Sequence, residues 1–231
     1  MRSRLLPWLT FGLCVVLGGA RHAAPTVYTS YAAFLAALPG ASTVVNFDGL
    51  ASGTVIASGS ASSGGGASLL VTNGSAAGGG GPYAAPSAPN CLGTSDFDAL
   101  LDGDTLTLGV ATANAIGLFV VSVEEPGDTI RDGDIGLTAH GATALLDVDA
   151  VHQTLPDGSL VYFLGVIDAQ SSFSSASLDM FGGGEAFAYG IDGIVRVTGG
   201  VPVPLPGAVL MGVVSSFVLA ALWLRWKRGG S

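Results

Sequence analysis

The chain has 231 residues, of which 49% are hydrophobic, only 11% are charged and 36 are glycine. This length suits a single domain, and the low charge argues against a coiled coil or a charged disordered tail. All 17 acidic residues and only three arginines lie in residues 21–198, a formal balance of −14 with no lysine. A nucleic-acid partner is therefore excluded, because binding to phosphates needs a basic surface.

The N-terminus has the three parts of a secretory signal peptide. Two arginines precede residue 5, an apolar run spans residues 5–17, and Gly18 and Ala20 are small residues suited to cleavage after Ala20. We therefore predict a signal peptide over residues 1–20 and export through the secretion translocon. An uncleaved N-terminal anchor is the alternative.

The first predicted element of the exported part is a short helix over residues 31–38. Thr29 or Ser30 can cap its start, and Pro39-Gly40 ends it. Its apolar positions form a face that can pack on a sheet, and they are Tyr31, Phe34, Leu35 and Leu38.

Strand patterns dominate the rest of the domain, separated by Asp-Gly and Gly-rich turns. The predicted strands are residues 43–48, 68–72, 105–110, 115–123, 135–140, 142–148, 160–167, 175–181 and 191–198. Residues 160–167 are apolar on both faces apart from Gly165, which is typical of a central strand covered on both sides. We predict that residues 21–198 form a mainly β, two-sheet antiparallel sandwich of jelly-roll type with one N-terminal helix. A barrel is the alternative.

Two Gly- and Ser-rich stretches, residues 58–67 and 73–95, do not fit strands. The second is too long for a plain turn, which indicates a mobile loop or a functional lid. Tyr83 lies in it and is the best candidate for stacking on a glycan, because all three tryptophans lie outside the domain.

The sequence offers little support for catalysis. Cys91 is the only cysteine left after signal removal, so no internal disulfide is expected, and nothing places a histidine beside it. The Gly-x-Ser-x-Gly motif of serine hydrolases and the Gly-Lys-Ser/Thr of phosphate loops do not occur. We predict no enzymatic activity and no cofactor, with Ca²⁺ as the one open possibility.

Four pairs of acids separated by one residue could supply oxygen ligands to Ca²⁺. The best cluster is Asp96, Asp98, Asp102 and Asp104, and similar pairs occur at residues 132/134 and 147/149. The other reading is that these acids are solvated turn residues, since Asp-Gly is a common hairpin turn.

The C-terminus has a second apolar run. Residues 208–224 carry no charge, and with the three residues before them they approach the length that crosses a bilayer. Aromatic and basic residues flank the end of this run, namely Trp223, Arg225, Trp226, Lys227 and Arg228. We predict a transmembrane helix over 208–224 and a cytoplasmic tail over 225–231, because positive charge stays inside and Trp prefers the interface. A buried core helix is the alternative.

A Pro-rich linker over residues 199–207 precedes this run and ends in a short motif, Val203, Pro204, Leu205, Pro206 and Gly207. Its prolines keep the backbone extended and accessible. Motif, span and basic stub in this order resemble the PEP-CTERM class of bacterial sorting signals, in the variant written Val-Pro-Leu-Pro-Ala, with Gly207 in place of Ala. The resemblance implies that an exosortase-like membrane protease processes the motif, in bacteria that make exopolysaccharide and biofilm. An ordinary stiff linker is the alternative.

The domain also resembles the extracellular sandwich domains often found before such tails, some of which look lectin-like. Four short segments carry this resemblance, and they are residues 46–50, 155–158, 163–166 and 191–194.

We therefore expect an exported cell-surface or matrix protein. It is held in the inner membrane, contacts membrane lipid and exopolysaccharide, and is then released. A Ca²⁺-dependent carbohydrate-binding module is the alternative, and a secreted hydrolase is the third.

Overall fold

The computed structural model describes residues 23–56, 61–63, 69–73, 86–87, 90–94, 100–101, 104–123, 130–181 and 187–198. The predicted signal peptide, Pro-rich linker, transmembrane helix and basic tail lie outside these residues. Within the described ranges, no helix combines the length and the hydrophobicity that a bilayer crossing requires.

The described chain is mainly β, with antiparallel strand pairs and one short helix, which confirms the predicted class. The helix, α1, spans Tyr31–Ala37. The strands are β1 (Thr26–Tyr28), β2 (Thr43–Val45), β3 (Ala61–Ser63), β4 (Leu69–Asn73), β5 (Asn90–Thr94), β6 (Leu100–Leu101), β7 (Leu106–Val123), β8 (Ile135–Ala139), β9 (Ala142–Leu145), β10 (Gln153–Thr154), β11 (Leu160–Ile167), β12 (Phe173–Met180) and β13 (Ala188–Thr198).

Helix α1 has the ends that its sequence predicts. The Ser30 side chain accepts a hydrogen bond from the backbone N–H of Ala33 at 3.4 Å, and the helix stops before Pro39, which cannot continue it. Phe34 is fully buried, with its ring centroid 5.0 Å from that of Phe163 on β11. Burying a side chain of this size contributes about 1.5–3 kcal/mol, which holds the short helix against the sheet.

Strand β7 joins what the sequence predicts as two strands. Its first part pairs with β3 and β12, and its second part pairs with β11 and β13. A break is expected near residues 111–114, where apolar residues give way to small and polar ones. The structure instead has a register irregularity against β12 there, and the Asn114 side chain donates to the Ser171 carbonyl at 2.9 Å. The strand continues through this point because its backbone pairs with β13 at Ala113 and Ala115.

The apolar side chains form two cores on opposite faces of β7 and β11. The inner core contains Ile116 and Leu118 of β7, Leu164 of β11 and Leu137 of β8. Strand β11 contacts β8 and β9 without pairing with either, so the inner core lies between strands that pack face to face. The outer core lies under α1 and includes Phe34, Phe119, Phe163 and Val195.

Strand β11 is covered on both sides, which confirms the sequence prediction. It pairs with β7 along one edge and with β1 and β10 along the other, and residues 161–167 are all buried. Gly165 lies where a Cβ atom would come within 2.6 Å of the Phe34 ring. The missing side chain therefore allows α1 to approach β11 closely.

The prediction that residues 58–67 and 73–95 contain no strand is wrong. Strand β3 lies in the first stretch and pairs with β7, and β5 lies in the second and pairs with β4. Strands β1, β6 and β10 are likewise absent from the predicted set. All five have at most five residues, and backbone hydrogen bonds to a neighbouring strand form whatever the side chains are.

Candidate functional site

A groove of about 600 Å³ lies between β1 and the hairpin formed by β8 and β9. Strand β9 is an edge strand that pairs with β8, and β1 pairs with β11. The groove between β9 and β1 therefore runs along an open side of the β-structure. Its lining consists of Val27, Tyr28, Thr29, Asp132, Gly133, Thr143, Ala144, Leu145, Leu146 and Asp147.

Two carboxylates stand in this groove, each fixed by a backbone hydrogen bond. Asp132 Oδ1 accepts from the Val148 N–H at 2.7 Å, and Asp147 Oδ1 accepts from the Asp149 N–H at 3.0 Å. Gly133, at a φ of 80°, lets the chain turn directly after Asp132. Both aspartates are exposed, so they can accept hydrogen bonds from a ligand.

The groove also has apolar walls. Val27 is 45% exposed and Leu145 is 46% exposed, so both side chains can contact a ligand in the groove. The half-buried ring of Tyr28 packs edge-on against Phe34, with 5.7 Å between centroids, and this contact limits its rotation. Apolar walls beside fixed carboxylates suit a ligand with both hydroxyl groups and apolar faces, such as a sugar.

A second polar cluster is buried where β13 meets the segment after β2. Asp192 has no exposed surface, and its Oδ2 accepts from the Ser87 N–H at 2.7 Å and the Ser87 hydroxyl at 2.8 Å. The Gly193 N–H donates to Asp192 Oδ1. Burial raises the pKa of the Asp192 carboxyl, the negative charge of Asp48 adds to the rise, and these three hydrogen bonds oppose it.

Asn90 links this cluster to the turn after β2. Its side chain donates to the carbonyl oxygens of Phe47 and Leu50, at 3.2 and 2.8 Å, and its N–H donates to Asp48 Oδ1. Two of the segments that carry the second resemblance, residues 46–50 and 191–194, are therefore neighbours in space. Their polar side chains hold the strands together, which is a structural role.

A histidine–carboxylate pair joins two loops on another part of the surface. His140 Nδ1 lies 2.6 Å from Asp168 Oδ2, and Asp168 is buried while the His140 side chain is 43% exposed. Asp168 Oδ1 accepts from the N–H groups of Gln170 and Ser171. Asp168 is not among the predicted site residues, although an acid directly after a buried strand is a usable signal.

Of the four aspartates in the best predicted calcium cluster, one lies among the described residues. Asp104 is described, and its Oδ2 accepts from the Leu101 N–H at 3.0 Å, which closes a turn. Asp96, Asp98 and Asp102 lie outside the described residues. Among the residues that are described, no three His, Cys, Asp or Glu side chains group as a metal site would need.

The cysteine and histidines take separate positions. Cys91 is buried in β5, His140 pairs with Asp168, and the ring of His152 stands 5.1 Å from that of Phe119. The remaining predicted site residues, which are Ala20, Tyr83, Val203, Pro204, Leu205, Pro206, Gly207, Trp223, Arg225, Trp226, Lys227 and Arg228, lie outside the described residues.

Comparison of the chain with protein families, with curated proteins and with solved structures finds no match.

Proposed function

We propose that this chain is an exported surface or matrix protein that is sorted and processed at its C-terminus. The observation that carries the proposal is the order of features in the sequence: a signal peptide at the start, then Val203–Gly207, an apolar span and a basic stub at the end. The translocon exports the chain, lipid holds the span, and an exosortase-like enzyme cuts at the motif. The domain then reaches the cell surface or an exopolysaccharide matrix.

We also propose that residues 21–198 form a two-sheet jelly-roll sandwich without catalytic activity. The face-to-face packing of β11 on β8 and β9 supports two layers, and β7 supplies a strand to each. The fully buried carboxylate of Asp192 accepts hydrogen bonds from Ser87 and Gly193, as in a structural cluster.

The sorting proposal is tested with an epitope tag inserted between signal peptide and domain. The tagged protein should lose mass and leave the inner-membrane fraction in a strain that has the exosortase-like enzyme. Pro204→Ala combined with Pro206→Ala, or deletion of the enzyme, should keep the full-length chain in the membrane. Pro156→Ala, an exposed turn proline, is the matched control and should be processed normally. Unchanged size and fraction in the double variant would contradict the proposal.

The groove favours carbohydrate binding as a second function. Its carboxylates at Asp132 and Asp147 can accept hydrogen bonds from sugar hydroxyls, and Tyr28, Val27 and Leu145 can contact the apolar face of a sugar ring. A glycan array and calorimetry, with and without Ca²⁺, test this function.

A matched pair of variants locates the binding. Asp147→Asn should weaken glycan binding, whereas Asp157→Asn should not. Both aspartates are exposed and both accept from the N–H two residues later, but only Asp147 lines the groove. No binding to any glycan, or equal binding by both variants, removes carbohydrate recognition from this groove.

A further inference from the structure

Arg196 on β13 is half-buried, and it lies on the inner-core face of the strand. Its neighbours along the strand, Val195 and Val197, belong to the outer core. Because side chains alternate along a strand, Arg196 shares the opposite face with Ile194, which packs on the inner core. This is a costly position for one of only three arginines in residues 21–198.

A cavity of about 190 Å³ lies beside Arg196. Most of its lining is apolar, and the full set is Val45, Asn46, Phe47, Leu50, Ile56, Leu92, Leu108, Gly109, Val110, Ile194 and Arg196. Among the described residues that line the cavity, Arg196 alone is charged. The cavity is somewhat larger than the roughly 150 Å³ space that takes up benzene in an engineered protein core.

The guanidinium lacks a partner at one atom. Arg196 Nε is buried and makes no hydrogen bond within the part of the chain that the structure describes. An unsatisfied buried donor destabilises the folded protein, and more so when the group is charged. Such groups are rare in folded proteins, so this one needs an explanation.

We propose that this cavity binds a small monocarboxylate with a compact apolar body, such as a benzoate-like acid. The carboxylate pairs with the Arg196 guanidinium, which is planar and presents donors in a fork that matches two carboxylate oxygens. The body of the ligand packs against Leu108, Val110 and Ile194. Binding satisfies the buried donor and fills the apolar space at the same time.

The chemistry of the cavity selects the carboxylate over other anions. A phosphate monoester carries up to two charges at neutral pH, and this lining offers a single cation. An inorganic anion leaves the apolar walls in contact with water. The strongly acidic balance of the domain repels anions in general, so only a ligand that gains apolar contacts as well should enter.

The test uses the purified full chain and two probes of nearly equal shape, benzoate and benzamide. Isothermal titration calorimetry should show saturable benzoate binding at least tenfold tighter than benzamide binding, because only benzoate offers a charged partner. Detergent buffer without protein is the blank. Failure of benzoate to bind, or equal affinity for benzamide, overturns the proposal, and this comparison needs no variant.

Two arginine variants place the binding in the cavity. Arg196→Met should weaken benzoate binding at least tenfold and change benzamide binding by less than about threefold, because the charge is lost but an apolar wall remains. Arg131→Met removes an exposed arginine outside the cavity and should leave benzoate affinity unchanged. Undiminished benzoate binding by a folded Arg196→Met chain also overturns the proposal, with folding checked by circular dichroism.

Discussion

Ser87 and Asp192 are 105 residues apart in the sequence, and the Ser87 hydroxyl lies 2.8 Å from Asp192 Oδ2. The Ser87 N–H donates to the same oxygen, so one carboxylate holds two donors of a single residue. Ser87 belongs to the long stretch that the sequence indicates as a loop or lid. The contact shows that at least this point of the stretch is bound to a buried strand.

The raised pKa of Asp192 predicts how stability changes with pH. The carboxyl is easier to ionise in the unfolded chain, where its ordinary value is 3.8, than in the folded chain. Between these two values the folded state binds more protons, so stability falls as pH rises through the folded pKa. Asp192→Asn cannot ionise at this position. The advantage of the native chain over Asp192→Asn in free energy of unfolding should therefore shrink as pH rises above 3.8.

Urea unfolding at a series of pH values measures this difference. Ser87→Ala sharpens the test, because removing the hydroxyl donor destabilises the carboxylate form, raises the folded pKa of Asp192 further and should extend the fall in stability to higher pH. A native advantage that grows with pH would show that the pKa of Asp192 is not raised. A smaller total fall in Ser87→Ala would show that the Ser87 hydroxyl does not stabilise the carboxylate.

Asn90 should be more sensitive to charge than to truncation. Asn90→Ala removes donors to two carbonyl oxygens and should cost about 1–3 kcal/mol of unfolding free energy. Asn90→Asp should cost more at pH 7, because a carboxylate cannot donate to these carbonyls and adds negative charge beside Asp48.

The exposed Asn46 is the control for this position, and Asn46→Ala should change stability by no more than about 0.5 kcal/mol. Denaturant unfolding of the three variants compares them directly. Equal stability of Asn90→Asp and Asn90→Ala at pH 7 would contradict the assigned contacts.

The turn between β8 and β9 should prefer glycine at its first position. His140 and Gly141 have φ values of 47° and 78°, and they form the two-residue loop of this hairpin. His140→Gly and His140→Ala both remove the contact with Asp168, but Ala also keeps the strain of a left-handed backbone. His140→Ala should be the less stable by about 1 kcal/mol.

Val151 is an exposed position without a positive φ, and it provides the reference. There the order should reverse, with Val151→Ala more stable than Val151→Gly, because Gly gains more entropy on unfolding. Thermal unfolding of the four variants tests this. The same order at both positions would mean that the turn does not impose a left-handed conformation.

Gly165 should tolerate no side chain while α1 is docked. Gly165→Ala places a Cβ within 2.6 Å of the Phe34 ring and 2.8 Å of the Phe163 ring, so it should cost about 1–3 kcal/mol. Gly49→Ala is the matched control, since nothing lies within 4 Å of its Cβ position. Denaturant unfolding of both variants provides the measurement. Equal stability of the two would contradict the close packing of α1 on β11.

Local signals predict part of the fold correctly. The cap at Ser30, the stop at Pro39 and the doubly buried pattern of residues 160–167 depend on residues close together in sequence, and the structure confirms all three. Long-range contacts account for most of the differences. The continuity of β7 goes with its backbone pairing to β13, which is distant in sequence, and β3 forms because β7 offers it an edge.

In the candidate sites too, the residue types can be predicted from the sequence, whereas their positions relative to one another depend on long-range packing. The acids of the groove are visible in the sequence as Asp-Gly and Asp-x-Asp turns, whereas their position beside β1 is not. Arg196 looks like an ordinary strand residue until the alternation along β13 places it on the inner face. The pairing of His140 with Asp168 joins two loops whose proximity follows only from the packed strands.

The most direct measurement of the central claim, export followed by C-terminal processing, is the mass of the mature protein recovered from the cells that make it. Intact-mass spectrometry with sequencing of both termini should find a chain that begins at Arg21 and ends at or near the Val203–Gly207 motif. In a strain without the exosortase-like enzyme, the same chain should extend to Ser231. A chain that retains Met1, or one that reaches Ser231 while the enzyme is present, would contradict the account.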